Sequence, residues 1–235
     1  MNGPIQVFRR VEQKYRINED QFQKIKESII DYMNTDPYGE STICNIYFDT
    51  DDYDLIRTSL EKPPYKEKIR LRSYGTPKDD SLVFLEIKKK YDGVVGKRRV
   101  AMTLKQAYDY IEYGVIPEDS QIMKEIDYCF KHYEIEKKLY LAYDRIAYLG
   151  KDNPEFRITF DYHIRSRTDQ LNLENGSSGK LLLQDGDYIM EVKSISGMPL
   201  WFSKLLCDLK IYPTSFSKYG EIYQNSLRKK EKNYV

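Results

Sequence analysis

The chain has 235 residues, with 38 Lys and Arg against 37 Asp and Glu, for a formal net charge of +1. That balance excludes bulk positive charge as a means of coating nucleic acid, and no run approaches the roughly 18 apolar residues a membrane-spanning helix needs. Hydrophobic residues at 40% and 22 tyrosines supply a core despite a charged fraction of 32%. The first ten residues contain no signal-peptide core, and Cys44, Cys129 and Cys207 lie far apart without metal-ligand spacing. A single cytoplasmic domain over residues 1–235, in a reducing compartment, is the expectation.

In chain order, residues 6–17 read as a strand. Asn18 is placed to cap a helix carrying Phe22, Ile25, Ile29 and Met33 at helical spacing. Residues 42–49 return as a strand and 51–60 as a short helix or turn. Strands over 65–74, 82–90 and 94–102 follow, the last two joined by the tight-turn pair Asp92-Gly93. Thr103 can cap a helix that Gly114 ends, and 120–133 is a second helix. Strands over 138–148 and 156–162, a loop through 175–179, a strand near 188–194, and helices over 199–210 and 217–230 complete the chain. About eight antiparallel strands with peripheral helices define an α+β protein built on a large sheet or closed barrel.

Alternate strand residues face opposite ways, so parity sorts the charges. Lys66, Lys68, Arg70 and Arg72 share one face while Ile69 and Leu71 take the other. Glu86 and Lys88 oppose Leu85 and Ile87, and Arg157, Thr159 and Asp161 oppose Ile158 and Phe160. Glu191 and Lys193 oppose Met190 and Val192, and Arg10, Glu12, Lys14 and Arg16 share a face. A solvated sheet face explains any one strand. Repetition across strands, with Lys and Arg in excess, favours a face that neutralises phosphates, because aligned like charges repel without a polyanion between them. Among the sparse acids, Glu191 suits a divalent cation arriving with a nucleoside triphosphate, whereas Glu12, Glu86 and Asp161 suit ion pairs.

Several segments carry a resemblance: Glu12-Gln13-Lys14-Tyr15, Lys68-Ile69-Arg70-Leu71-Arg72, Leu85-Glu86-Ile87-Lys88 and Lys97-Arg98-Arg99. Tyr143-Asp144-Arg145, Phe156-Arg157-Ile158-Thr159, Glu191-Val192-Lys193 and Ser217-Lys218-Tyr219 complete the set. In this order, over about residues 6–225, they resemble a VTC-type polyphosphate polymerase domain of the triphosphate tunnel metalloenzyme superfamily. The resemblance implies an eight-stranded antiparallel barrel enclosing a basic tunnel. It implies phosphate contacts from Lys14, Arg70, Arg72, Lys88, Arg145, Arg157 and Lys218, and a metal on Glu191. Lys97 or Arg99 matches one further basic position; with Lys68, Lys193 and Glu86 they are the remaining candidate substrate contacts. The Glu-x-Glu-x-Lys strand typical of the superfamily's hydrolases and cyclases is here Arg10-Val11-Glu12-Gln13-Lys14. That departure favours the polymerase branch.

The implied reaction moves the γ-phosphoryl group of ATP onto a growing inorganic polyphosphate chain with Mn²⁺ or Mg²⁺. It needs no nucleic acid and no direct membrane insertion, and a separate membrane partner could receive the product. The eukaryotic complex subunits' phosphate-sensor domain and membrane helices are not matched. Three rivals stand beside it: a tripolyphosphatase or nucleoside triphosphatase, a non-catalytic polyphosphate-binding module, and a Tyr-rich sheet that stacks single-stranded RNA. Tyr108, Tyr128 and Tyr148 fall in apolar patterns, which favours core packing over base stacking. Asp49-Thr50-Asp51-Asp52-Tyr53-Asp54 resembles a calcium loop but places Asp54 where glycine is required, so turn formation or helix capping is the better account.

Overall fold

The computed structural model describes residues 11–195 and 197–228. Its strands are β1 (Val11–Asn18), β2 (Met33–Thr35), β3 (Ser41–Asp49), β4 (Tyr65–Tyr74), β5 (Leu82–Tyr91), β6 (Val94–Thr103), β7 (Glu136–Gly150), β8 (Arg157–Arg167), β9 (Lys180–Leu181) and β10 (Asp187–Ser194). Its helices are α1 (Glu19–Ile29), α2 (Asp54–Glu61), α3 (Leu104–Tyr113), α4 (Gln121–Tyr133), α5 (Leu200–Asp208) and α6 (Lys218–Ile222). A π-helical turn over Tyr223–Leu227 follows α6. The α+β class and its antiparallel strands are as the sequence indicates. β1 and β6 each pair on one side only among the described residues, so the strand order does not close into a ring.

Packing divides the chain into two units. Among the described residues the first comprises 11–41, 144–163, 183–195 and 197–216; the second comprises 42–143, 164–182 and 217–228. In the first unit the strand order is β1-β10-β8-β7, with β2 on β7. Its core joins Tyr15, Ile17, Ile158, Phe160, Met190 and Val192 to Phe22, Ile25 and Ile29 of α1 and to Phe202 and Leu206 of α5. Asn18 forms a capping box with Gln21, which fixes where α1 begins. The helix stops at Ile29, so Met33 lies on β2 rather than on the helical stripe expected for it. The turn after α1 sends the chain back to pair with β7, and Met33 reaches the same core from a strand.

In the second unit the order is β7-β3-β4-β5-β6, with β9 on β8. Ile69, Leu71, Val83, Leu85, Ile87, Val100 and Met102 pack against Leu104, Ala107 and Tyr110 of α3 and Met123, Ile126 and Cys129 of α4. The β5–β6 turn is the expected Asp92-Gly93, with φ of 43° and 84°, the paired positive angles that let a two-residue turn follow the strand twist. Thr103 caps α3 in a box with Gln106, and Gly114 closes it with φ of 72°.

Other boundaries moved. The start of the first strand, residues 6–10, lies outside the described residues, as do residues 229 and 230 of the last expected helix. That helix is a short α6 and a π-helical turn instead of one continuous rod. α5 begins after Pro199, whose fixed φ suits a helix start. β8 continues to Arg167, and Lys180–Leu181, just after the expected loop over 175–179, pairs with it as a short strand. Tyr108 and Tyr148 pack against the two cores, but Tyr128 is 62% exposed and stacks on His132, because its side of α4 faces away from the sheet.

Asp49 explains the acidic run that resembles a calcium loop. Its carboxylate accepts from the backbone N–H groups of Thr50, Leu55 and Ile56, and from Tyr219 Oη at 2.9 Å. It therefore caps α2 from the end of β3 while anchoring α6.

Candidate functional site

Both units place apolar residues on one side of the strands and charges on the other. In the second unit, register fixes the charged face. Arg70 stands opposite Tyr47 on β3 and Glu86 on β5, and Glu86 stands opposite Arg99 on β6. Lys68, Lys88 and Lys97 form the next row, directly opposite one another across β4, β5 and β6. Both Lys97 and Arg99 thus belong to the charged face, which settles the parity of β6. On β4, β5 and β6 this face carries Lys66, Lys68, Arg70, Arg72, Lys88, Lys90, Lys97 and Arg99 against one carboxylate, Glu86.

Glu86 is the hub of this cluster. Arg70 Nε donates to its Oε2 at 2.8 Å, Arg70 Nη2 lies 2.7 Å from the same oxygen, Arg72 Nε is at 3.9 Å, and Lys97 Nζ is 2.7 Å from Oε1. Glu86 is 1% exposed. Burial alone would raise its pKa, but Arg70, Arg72 and Lys97 outweigh it and hold the pKa at about 2. Burial also pulls Lys97 below the ordinary lysine range, against the attraction of Glu86.

Two polar sets aim the arginines. Arg70 Nη1 donates to Tyr47 Oη at 3.0 Å. Arg72, 6% exposed, donates from Nε to Asn45 Oδ1 at 2.9 Å and from Nη2 to Tyr143 Oη at 3.1 Å, while Asn45 Nδ2 donates to Leu141 O. Burial would raise the Tyr47 phenol, but Arg70, Arg72 and Lys68 bring it down to about 8. Lys68 Nζ bonds Ser217 Oγ at 3.1 Å, and Lys218 Nζ sits 4.4 Å from the centre of the Tyr143 ring. Asn45 and Tyr47 were given no role in the sequence. Their signal is a polar pair at alternate positions of the apolar middle of β3, residues 43–48.

The first unit carries its own charged cluster. Across β1, β10 and β8, Lys14, Glu191 and Thr159 form one row and Glu12, Lys193 and Arg157 the next. Glu191 lies 2.7 Å from Lys193 Nζ and 3.8 Å from Lys14 Nζ; Glu12 lies 3.9 and 3.6 Å from the same two groups. Burial opposes the ionisation of Glu191, but Lys193, Lys14 and Arg145 prevail and hold its pKa at about 2. Lys14 Nζ also donates to Phe216 O at 3.1 Å. Arg145 is forked onto the fully buried Asp161, Nε to Oδ1 at 2.5 Å and Nη2 to Oδ2 at 2.8 Å. Arg157 Nη2 donates to Asp36 at 3.2 Å. Glu12, Glu86 and Asp161 are thus ion-paired, as their sequence setting indicates.

The tunnel family implies a divalent cation, and the oxygen donors around Glu191 fit one. Glu12 shares both of its ammonium neighbours, and Thr159 Oγ1, in register with Glu191, is buried with no hydrogen-bond partner. Hard cations such as Mg²⁺ take one or two carboxylates and fill the remaining positions with water and phosphate oxygens. Among the described residues no group of three or more His, Cys, Asp or Glu side chains could hold a metal unaided.

The antiparallel sheet, its lateral helices and the basic strand faces define a protein of the triphosphate tunnel class. A protein described as a candidate adenylate cyclase from Bacillus halodurans shares the fold, with a TM-score of 0.57 and 15% identity over 92% of this chain and 96% of that one. A candidate adenylyl cyclase from Hippeastrum, described as having a dominant triphosphatase activity, aligns with a TM-score of 0.52 and 14% identity over 92% and 95%. The VTC domain profile matches residues 9–226, and the chain belongs to that family. No curated protein sequence matches it. No helix among the described residues is long and apolar enough to cross a membrane.

Proposed function

We propose that the protein is a polyphosphate polymerase that transfers the γ-phosphoryl group of ATP to the terminal phosphate of an inorganic polyphosphate chain. The observation that carries this reading is the face of β4, β5 and β6, where eight bases surround one carboxylate. Such an excess repels itself until a polyanion supplies the missing charge.

In the reaction the bond from the γ-phosphorus to the ADP oxygen breaks and one to the acceptor's terminal oxygen forms. Water does not enter. Charge neutralisation and in-line placement supply most of the catalysis. Arg70 and Arg72 grip the triphosphate, their planes set by Glu86, Tyr47, Asn45 and Tyr143. Arginine suits this task because its fixed fork matches phosphate oxygens. Lys68, Lys88, Lys97, Arg99 and Lys218 supply further positive charge toward phosphate oxygens. In the first unit Lys14, Lys193, Arg145 and Arg157 form a second cluster of positive charge suited to phosphate, and Glu191, with Glu12 and Thr159, would hold Mn²⁺ or Mg²⁺ there. The bound cation would neutralise charge on the phosphate oxygens.

Hydrolysis of tripolyphosphate or a nucleoside triphosphate is the second reading, favoured by the triphosphatase activity described for the Hippeastrum protein. Incubation with ATP and Mn²⁺, followed by gel electrophoresis and phosphorus NMR, separates them. A ladder of phosphate chains supports the polymerase, and orthophosphate alone supports the hydrolase. Loss of no ATP leaves a binding module. A cytoplasmic location and a separate membrane partner for the product belong to the same proposal.

A further inference from the structure

The β5–β6 hairpin ends in an apolar tip. Tyr91 is 66% exposed, Val94 70% and Val95 48%. Register sets Tyr91 opposite both Val94 and Tyr65, and the two tyrosine ring centres lie 6.5 Å apart. These three side chains share one face of the sheet. Val95 stands opposite Lys90 and belongs to the other face. Asp92 N–H donates to Pro64 O at 2.9 Å, which holds the turn against the start of β4.

Hairpin stability accounts for only part of this. Tyr65 and Tyr91 support each other across the strands, but Val94 and Val95 point outward. Among the described residues β6 pairs on one side only, and an edge strand that exposes consecutive valines invites aggregation unless something covers them. Further along the same strand, Lys97, Arg98 and Arg99 give the charged edge that solvent favours.

Two observations say what covers the tip. It is apolar on both faces: a folded protein would cover one, whereas lipid surrounds a hairpin from every side. Cations also prevail behind it. Lys90 and Lys66 share the row of Val95, and Lys62 lies close enough that, after burial and Lys90, it helps to draw Lys66 below the ordinary lysine range. Asp92 is explained by the turn, since its φ of 43° is a conformation that Asp adopts more readily than most residues. Tyrosine, aliphatic side chains and flanking lysines together suit the boundary of an anionic bilayer, where phenol and ammonium groups stay among the headgroups. Val94 and Val95 extend roughly 7 Å along the strand, a depth that interfacial elements reach.

We propose that the β5–β6 tip docks the protein onto an anionic lipid surface, with Tyr91, Val94 and Val95 in the headgroup layer and Lys62 and Lys90 beside the anionic headgroups. The attachment is to the surface, and no segment crosses the bilayer.

The test is flotation of the full chain with vesicles of phosphatidylcholine alone and of phosphatidylcholine mixed equally with phosphatidylglycerol. The wild type should float with the anionic vesicles, less so as salt rises, and not with the neutral ones. Val94→Asp/Val95→Asp should weaken binding to anionic vesicles at least about tenfold, and Lys62→Gln about fivefold. Val94→Trp, which keeps an interfacial side chain, should bind at least as tightly as the wild type. All three positions are exposed, so melting temperatures should stay within a few degrees. Tripolyphosphate affinity should stay within about twofold in every variant. Equal binding to both kinds of vesicle, no binding to the anionic ones, or binding that Val94→Asp/Val95→Asp leaves unchanged would overturn the proposal. So would self-association of the wild type without lipid that the same variant abolishes, since the tip would then join copies of the chain.

Discussion

Arg70 and Glu86 face each other across β4 and β5, joined at 2.8 Å from Nε and 2.7 Å from Nη2 to the same carboxylate oxygen. The other carboxylate oxygen lies 2.7 Å from Lys97 Nζ. One buried acid on β5 thus organises three bases, Arg70 and Arg72 of β4 and Lys97 of β6, and leaves the surrounding face strongly positive. A ligand with several negative charges meets arginines already aimed, at little further cost in side-chain order.

Glu86→Gln removes the one carboxylate that this face carries on β4, β5 and β6 and strands three cations around a neutral amide. It should destabilise the protein by about 3–5 kcal/mol, read from urea unfolding at neutral pH. Saturating tripolyphosphate should recover part of that loss by supplying the missing charge.

Acid should reveal the same carboxylate. Its folded pKa, about 2, lies below that of an unfolded glutamate, so its contribution is fully present above the unfolded value. The contribution is lost as pH falls through the window from about 4.5 to about 2. Glu191 shifts in the same direction for the same reason. Urea midpoints should fall across that window in the wild type and less steeply in Glu86→Gln. Parallel slopes would remove Glu86 as a source of acid sensitivity.

Tyr47 offers a readout near neutrality. Below about pH 8 its phenol is neutral and accepts from Arg70; above it the phenolate cancels part of the charge that Arg70 presents to a phosphate. Tripolyphosphate affinity should therefore decline above pH 8 in the wild type. Tyr47→Phe should lack that inflection while keeping its melting temperature within a few degrees.

Arg70→Ala should lower turnover of ATP at least about 100-fold without unfolding, because Glu86 retains Arg72 and Lys97. Glu191→Gln should abolish metal-dependent turnover. Its Mn²⁺ affinity, followed by electron paramagnetic resonance, should fall in parallel. Unchanged Mn²⁺ binding would move the metal away from Glu191.

Asp49 has a structural role that mutation should expose. Asp49→Ala removes two backbone caps on α2, the bond from Thr50 N–H and the bond to Tyr219. A loss of about 2–4 kcal/mol is expected, and Ca²⁺ should have no effect on the melting temperature of either protein.

The sequence alone determined the local order of the chain and which strand face each base occupies. Thr103 and Asn18 announced their helices, Asp92-Gly93 announced the hairpin, and parity separated Arg70 and Arg72 from Ile69 and Leu71. These are properties of neighbours in sequence, set by the two-residue repeat of a strand and by capping chemistry. The near-neutral charge sum concealed them, since it averages a basic strand face with acids elsewhere. Only tertiary structure decided which acid meets which base. Glu86 became the hub of three bases, and Asp161 took the fork of Arg145, because register brings together residues 16 positions apart in each case. The same holds for the short strands β2 and β9, whose few residues form strands only because β7 and β8 present unpaired stretches of backbone to them. Asn45 and Tyr47 became aiming groups for the same reason: β3 lies beside β4, and a polar side chain in an apolar strand acquires meaning from what stands opposite it.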